Sequence, residues 1–505
     1  MEFVPYVLAA LEPAVLLMMI GAVVLGVVLG ALPGLSSTFA CAVMLPVTFT
    51  MSPVLALLFL GCIYMGSTYG GAFTAILLNT PGTPQSIATT FDGFPMAKRG
   101  DGSLALTLAC LASAFGGIVG IASFVLLAPP LARFALSFGP PEFFWLAVFG
   151  LTIIASLSSG NVVKGLMSGA IGLLLSLVGS AVVSGDTRFT FGVPALISGI
   201  SVVPACIGLL CVPVVMDMAL DAKRYLDGDA SSGRHPRVRE SVRLLWSAKR
   251  NLMRSSIIGA AIGILPAAGG AIASLVSYSV AVRSSRHPER FGKGEPDGVI
   301  ASESANNATV GSGLIPTFVL GIPGTPTDAV ILAAMLIHGL QIGPKLFTDH
   351  ADTLMTFIAG LTIATLLLIP IGLLLGRHLY GIALRTPKRL LAPTVAMMTI
   401  IGSFAIYNSH TDVVVMMTLG VFAWLIGRSG FPAPPIVLGL LLGPIAEEGF
   451  SQALLIGRAT NSTLEMFFGR GLSITIIACI VASLVGPAII RRLRRRGAAG
   501  HVAKT

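Results

Sequence analysis

Long apolar runs recur from one end of the chain to the other, broken by glycine, proline and short basic stretches. They fall at 7–30, 36–49, 53–80, 103–127, 141–157, 161–184, 194–218, 255–282, 306–346, 353–376, 391–407, 412–427, 434–456 and 471–490. Runs such as Leu354–Gly376 and Gly471–Ile490 reach the roughly 18–20 residues that carry an α-helix across a bilayer. Others are too short or too interrupted to cross simply. The pattern therefore predicts an all-α polytopic membrane protein with about 10–12 transmembrane helices plus re-entrant or broken helices. Runs that are continuous rather than alternating exclude a transmembrane β-barrel.

Composition strengthens this reading. Of the 505 residues, 54% are hydrophobic and 11% charged, against about 25% charged in an ordinary soluble domain. A soluble enzyme, a nucleic-acid binder and a secreted disulfide scaffold are set aside. The net charge of +10 is concentrated, with 23 of the 32 Lys and Arg in the segments 219–254, 283–293, 377–389 and 491–504. Basic loops beside membrane spans stay in the cytoplasm, and the arginine-rich tail is expected beside anionic lipid rather than on nucleic acid. The six cysteines lie in apolar surroundings without a CxxC pair, as buried small hydrophobes do. With Glu2 and Glu12 and no basic stretch before its apolar run, the N-terminus is expected to form a first membrane segment rather than a cleaved signal.

The chain matches itself. Gly70–Pro84 (GGAFTAILLNTPGTP) returns as Ser312–Pro326 (SGLIPTFVLGIPGTP), and Ala31–Ser37 has a looser counterpart in Ile264–Gly270. Asp92-Gly93 matches His338-Gly339, and Thr152–Asn161 matches Thr399–Asn408, in the same order and at slowly drifting spacing. The expected organisation is a first membrane repeat at 1–218 and a basic cytoplasmic linker at 219–254. A second repeat follows at 255–470, then an extra transmembrane helix at 471–490 and a basic cytoplasmic tail at 491–505. Within the linker, Asp227–Pro236 reads as a flexible loop. Val238, Val242, Leu245 and Leu252 beyond it suit either an amphipathic interfacial helix or a plain solvated linker. If linker and tail are both cytoplasmic, an even number of crossings separates them. Removing 471–490 leaves an odd number in the second repeat, which makes the repeats inverted in topology, as in many secondary transporters.

No HExxH, Walker A loop or GxSxG elbow is present, so the chain is read as no enzyme. Its chemistry-bearing features are two PGTP stretches inside hydrophobic segments, Pro81–Pro84 and Pro323–Pro326. Proline lacks an N–H and clashes with the preceding turn, so both stretches must interrupt helices at membrane depth. Such backbone is tolerated only inside protein or along a wet cavity. Half-helices resuming at Gln85 and Thr327 would offer N–H groups and a positive dipole end to an anion. The candidate substrate-binding residues are Ser36, Ser37, Thr38, Asn79, Pro81, Gly82, Thr83, Asn306, Asn307, Pro323, Gly324 and Thr325. Thr68, Asp92, Glu303 and Asp328 are candidates for coupling to an ion, because intramembrane acids are expensive unless they serve a pathway. No Lys or Arg lies before Lys98 or between Lys293 and Lys345. A bound anion would therefore be offset by co-transported Na⁺ or H⁺; no other cofactor or metal is expected. Glu447 and Glu448 read as interfacial, and His338 and His410 as packed or hydrogen-bonded.

At these motifs the sequence resembles the large permease subunit of the tripartite tricarboxylate transporters, the TctA-like family. The resemblance is carried by GALPGLSSTFACAVMLPVTF, by YMGSTYGGAFTAILLNTPGTPQSIATTFDGFPMAKRG and by ASESANNATVGSGLIPTFVLGIPGTPTDAVILAAMLIHGLQIGP. FGVPALISGISVV and PPIVLGLLLGPIAEEG also fit, so nearly the whole chain is covered. Pro266-Ala267-Ala268-Gly269 departs from it, since a glycine is expected directly after the proline. The resemblance implies multi-pass residence in the bacterial inner membrane and carboxylate uptake driven by an ion gradient. It also implies two partners, a small four-helix membrane subunit and a periplasmic solute-binding protein. A passive anion channel is the alternative that the residues themselves leave open.

Overall fold

The computed structural model describes residues 4–32, 35–79, 81–157, 162–181, 183–220, 236–265, 269–376, 393, 396–397, 399–404 and 408–484. Several expectations fall outside these residues. They are most of the loop Asp227–Pro236, the tip Pro266–Ala268, much of the segment 391–407, the end of the helix 471–490 and the tail 491–505.

The described chain is almost wholly helical. In order, the helices are α1 (Val4–Ala10), α2 (Pro13–Gly30), α3 (Ser37–Met44), α4 (Pro53–Leu78), α5 (Ile87–Met96), α6 (Gly102–Ala135), α7 (Pro140–Leu157) and α8 (Val162–Ser176). They continue with α9 (Val202–Leu220), α10 (Val238–Ser247), α11 (Lys249–Ile264), α12 (Gly269–Ser284), α13 (Pro296–Leu320), α14 (Pro326–Ile337), α15 (Ala351–Gly376), α16 (His410–Arg428) and α17 (Ala433–Ala459). Proline opens α2, α4 and α13, where its missing N–H is one the helix would leave unpaired anyway. Seven of the described helices are long and apolar enough to cross a membrane, and shorter apolar helices include Ser37–Thr50 and Pro326–Ile337. Large apolar side chains such as Leu17, Leu126 and Leu174 point outward along them. A water-soluble body does not present such faces and a lipid-facing one does. The protein is thus an all-α polytopic membrane protein.

The chain forms two compact units, each drawn from two separated stretches: Met1–Ala135 with Cys206–Gly420, and Leu136–Ala205 with Val421–Thr505. In the first, glycines let helix backbones touch. A Cβ on Gly26 would sit 2.6 Å from the Ile63 carbonyl oxygen, and one on Gly66 would sit 2.6 Å from that of Val23, which locks α2 against α4. On α13, a Cβ at Gly311 would come within 2.5 Å of the α6 backbone at Gly120. Such close approach is how helices associate where lipid supplies no hydrophobic drive. Within the linker, α10 is a helix whose preceding Arg237 pairs with Asp101 and Glu240.

In the second unit, α17 packs on α7 and α8. Glu142 is fully buried there, accepting from the Gly139 N–H at 2.8 Å, the Ser473 hydroxyl at 2.7 Å and Arg470 at 2.9 Å. Glu447 is bound by the Arg188 guanidinium through both oxygens, at 2.8 and 2.9 Å. Five cysteines are buried thiols, as expected, but Cys479 is exposed. It lies on the outward side of an apolar helix, where a membrane protein meets lipid and a small apolar thiol costs little.

Candidate functional site

The two PGTP stretches have the same local form in the first unit. The helices α4 and α13 each end on a residue in the left-handed region, Asn79 (φ 51°) and Gly321 (φ 70°), so each chain reverses out of its helix at matching positions. Thr83 and Thr325 are N-caps with extended backbone, at φ −120° and −141°, and a proline follows each. In the second stretch α14 restarts directly at Pro326. In the first, a 3₁₀ turn over Pro84–Ser86 precedes α5, so the helix resumes later than the sequence suggested. Both stretches are held by near-contacts of backbone. Gly82 N–H donates to the Gly71 carbonyl at 3.3 Å. A Cβ on Gly82 would come 2.6 Å from the Gly30 carbonyl and 2.6 Å from the Thr74 hydroxyl.

Around these breaks the structure gathers the polar side chains of both halves. The Thr38 hydroxyl meets that of Thr327 at 2.9 Å, and Tyr64 meets Thr325 at 3.3 Å. Ser37 lies 3.5 Å from Thr68, and Ser36 caps α3 by accepting from the Phe39 N–H at 3.1 Å. Thr325 accepts from the Asp328 N–H at 3.2 Å and donates to Asp328 Oδ2 at 2.8 Å. Glu303 is fully buried, accepting from Thr89 at 2.5 Å and from Ser113 at 2.9 Å, and Ser113 in turn accepts from Asn307 Nδ2 at 2.8 Å. Pro323 and Gly324 are buried beside them, and Gly82 and Thr83 are buried in the first break. Asn79 is exposed and Pro81 half-buried, at the rim of their break.

Asp92 stands apart, because both of its oxygens are occupied by a clamp. Oδ1 accepts from the Gly294 and Glu295 N–H groups, each at 2.8 Å, and Oδ2 accepts from the Tyr278 hydroxyl at 2.8 Å. Together these bonds tie α5 to α12 and to the segment leading into α13.

A group of buried polar atoms has no hydrogen-bond partner among the described residues. It comprises both amide atoms of Asn306, Asn307 Oδ1, Gln85 Oε1 and Asp328 Oδ1. Gly270, in the first turn of α12, packs on Asn306 Oδ1, and a Cβ there would also lie 3.0 Å from Gln85 and 3.2 Å from the Thr309 hydroxyl. The first turn of α12 therefore lies beside Asn306 and Gln85. Sequence reasoning took Gln85 only as the point where a half-helix resumes and did not single out Tyr64, Thr89, Ser113, Gly270 or Tyr278. For Gln85 the signal was present, since it directly follows Pro84. The others became visible only when the fold brought them together. Among the described residues, no three His, Cys, Asp or Glu side chains are grouped to hold a metal ion.

Paired broken helices around a buried polar core are an arrangement that many secondary transporters share. Comparison agrees and is more specific, because residues 16–438 match the tripartite tricarboxylate transporter TctA family. The chain belongs to that family, whose members are the large subunits of tripartite transport systems. A relative from Agrobacterium vitis, described as an uncharacterized 52.8 kDa protein in the TAR-I ttuC' 3' region, is 37% identical over 93% of this chain and 94% of its own. A second, described as an uncharacterized protein in the TAR-II ttuC' 3' region of the same organism, is 35% identical over 44% of this chain and 94% of its own. No solved structure matches.

Proposed function

We propose that the protein takes up a carboxylate across the bacterial inner membrane, driven by an Na⁺ or H⁺ gradient. It does so as the large permease subunit, receiving substrate from a periplasmic solute-binding protein and working with a small four-helix membrane subunit. The observation that carries the proposal is the unpartnered Asn306 amide with Gln85, at the N-terminal turn of α12. A buried amide without partners is costly, and a ligand supplying both acceptors and donors removes that cost. A carboxylate accepts from Asn306 Nδ2 and the α12 N–H groups, while a substrate hydroxyl donates to Asn306 Oδ1 or Gln85 Oε1. No Lys or Arg lies before Lys98 or between Lys293 and Lys345, the stretches that carry Gln85 and Asn306. Backbone dipoles thus hold the anion without the grip of an ion pair, and a co-transported cation completes the charge balance. The two similar breaks, one from each half of the chain, supply the opposed walls that an inverted pair of repeats uses for alternating access.

The test is uptake of labelled di- and tricarboxylates into cells, with and without the cognate binding protein, before and after ionophore treatment. Accumulation that requires both binding protein and gradient supports the proposal. Equilibration that follows the substrate gradient alone would mean a pore.

A further inference from the structure

Among the described residues of the first unit three carboxylates are fully buried, and they differ in what their oxygens do. Asp92 is fully occupied by the Gly294, Glu295 and Tyr278 donors, and Glu303 by Thr89 and Ser113. Asp328 uses Oδ2 to accept from the Thr325 hydroxyl, while Oδ1 has no partner among the described residues. Capping of α14 explains the first oxygen and leaves the second unexplained.

The Thr325 and Tyr64 hydroxyls lie on one side of Asp328, and on the side of Gly324 and Gly313 its Oδ2 faces carbonyl oxygens. The position that a methyl group would take on Gly324 lies 3.0 Å from the Gly313 carbonyl oxygen, 3.1 Å from Asp328 Oδ2 and 3.6 Å from the Gly263 carbonyl oxygen. A methyl on Gly313 would lie 3.2 Å from Asp328 Oδ2 and 3.7 Å from the Gly263 carbonyl oxygen. Two missing side chains thus leave one small space beside Asp328 Oδ2, walled by that carboxylate and two carbonyls, of which Gly313's also accepts from the Thr317 hydroxyl at 3.2 Å. Gly263 is the penultimate residue of α11, where carbonyls lack intrahelical partners and the helix dipole is negative. Converging oxygens of this kind repel one another unless a positive charge sits between them. Hard oxygen donors suit an alkali or alkaline-earth ion rather than a soft metal. A single carboxylate with neutral carbonyls matches one positive charge, whereas a divalent ion calls for more acids.

We propose that Asp328, with the Gly263 and Gly313 carbonyls, forms a binding site for one small monovalent cation of the Na⁺ type. Its position beside Thr325, in the second break, makes it the place where that cation couples to the carboxylate. This second statement rests on the transport reading above. Gly324 is glycine because the ion takes the space a side chain would fill.

The test is binding of radiolabelled Na⁺ to the full-length chain in lipid nanodiscs, without carboxylate. The wild type is expected to show one saturable site. Asp328→Asn and Gly324→Ala are each expected to weaken it by about ten-fold or more, and Gly21→Ala, on the open face of α2, to keep it within about two-fold. A measurement on the wild type alone guards against variants that fail to insert. Na⁺ replacing choline is expected to slow hydrogen exchange at the start of α14. Absence of saturable Na⁺ binding, undiminished binding in Asp328→Asn, or Na⁺ protection confined to other segments would each overturn the proposal. Uptake driven by a proton gradient in a protein that binds no Na⁺ would overturn this site and leave the transport reading standing. Gradient-independent uptake would remove the transport reading itself, whatever the binding result.

Discussion

Replacing Asp92 by alanine removes the one acceptor shared by the Gly294 and Glu295 N–H groups, each held at 2.8 Å, together with the Tyr278 bond at 2.8 Å. Hydrogen bonds to a charged acceptor contribute about 1.5–3 kcal/mol each. Losing the two backbone bonds therefore eases local opening of this segment by at least about 3 kcal/mol, or roughly a hundred-fold in the opening equilibrium. The assay is hydrogen exchange followed by mass spectrometry on a peptide covering Phe291–Pro296. Asp92→Ala is expected to accelerate exchange at Gly294 and Glu295 by about that factor, whereas Tyr278→Phe spares both backbone bonds and changes it by no more than about three-fold. The Arg99 guanidinium holds the Gly294 carbonyl at 2.5 Å from the other side, but it does not touch these N–H groups. Arg99→Ala is therefore expected to fall between the two. Unchanged exchange in Asp92→Ala would refute the clamp and reopen Asp92 as an ion ligand.

Because neither amide atom of Asn306 has a described partner, Asn306→Ala is expected to leave thermal stability nearly unchanged. It should raise the KM for carboxylate uptake by about ten-fold, the loss of one hydrogen bond of about 1.4 kcal/mol. On α2, a Cβ at Gly30 would strike the Ser67 backbone while one at Gly21 meets nothing within 4 Å. Gly30→Ala is thus expected to destabilise by about 2 kcal/mol or more and Gly21→Ala to be neutral, read from melting of the purified protein. In the second unit, Glu142→Ala leaves the Gly139 N–H and the Ser473 hydroxyl without an acceptor and is expected to cost about 2 kcal/mol or more. Arg470 is 42% exposed, so Arg470→Ala is expected to cost less than about 1 kcal/mol.

The parts of this structure that were legible in the sequence are those that follow from local covalent chemistry. Pro81, Pro84, Pro323 and Pro326 cannot continue a helix, and both breaks occur where they stand. The apolar runs around them became helices because the bilayer leaves no other way to satisfy backbone groups. The positions Ser36, Ser37, Thr38, Thr68, Asn306, Asn307, Thr325 and Asp328 were identifiable as polar groups in apolar surroundings, which is a local property. Their partners were not. That Thr38 meets Thr327, or Tyr64 meets Thr325, depends on how distant helices cross. Those crossings are set by glycine contacts such as Gly26 on Ile63, which a linear pattern does not order. The same holds for the units built from separated stretches, where 136–205 packs with 421–505. Asp92 shows the limit most clearly. An acid in an apolar context looks the same in sequence whether it faces an ion or two backbone N–H groups, and only the fold distinguishes Asp92 from Asp328.

Coupling of carboxylate movement to an ion gradient is the function proposed for this subunit. The most direct measurement reconstitutes it with its membrane partner in liposomes, supplies the substrate-loaded binding protein outside, and imposes an inward Na⁺ or proton gradient. Accumulation of labelled carboxylate above its outside concentration, collapsing when the gradient is dissipated, is the predicted result. Flux that stops at equal concentrations under every gradient would contradict the claim.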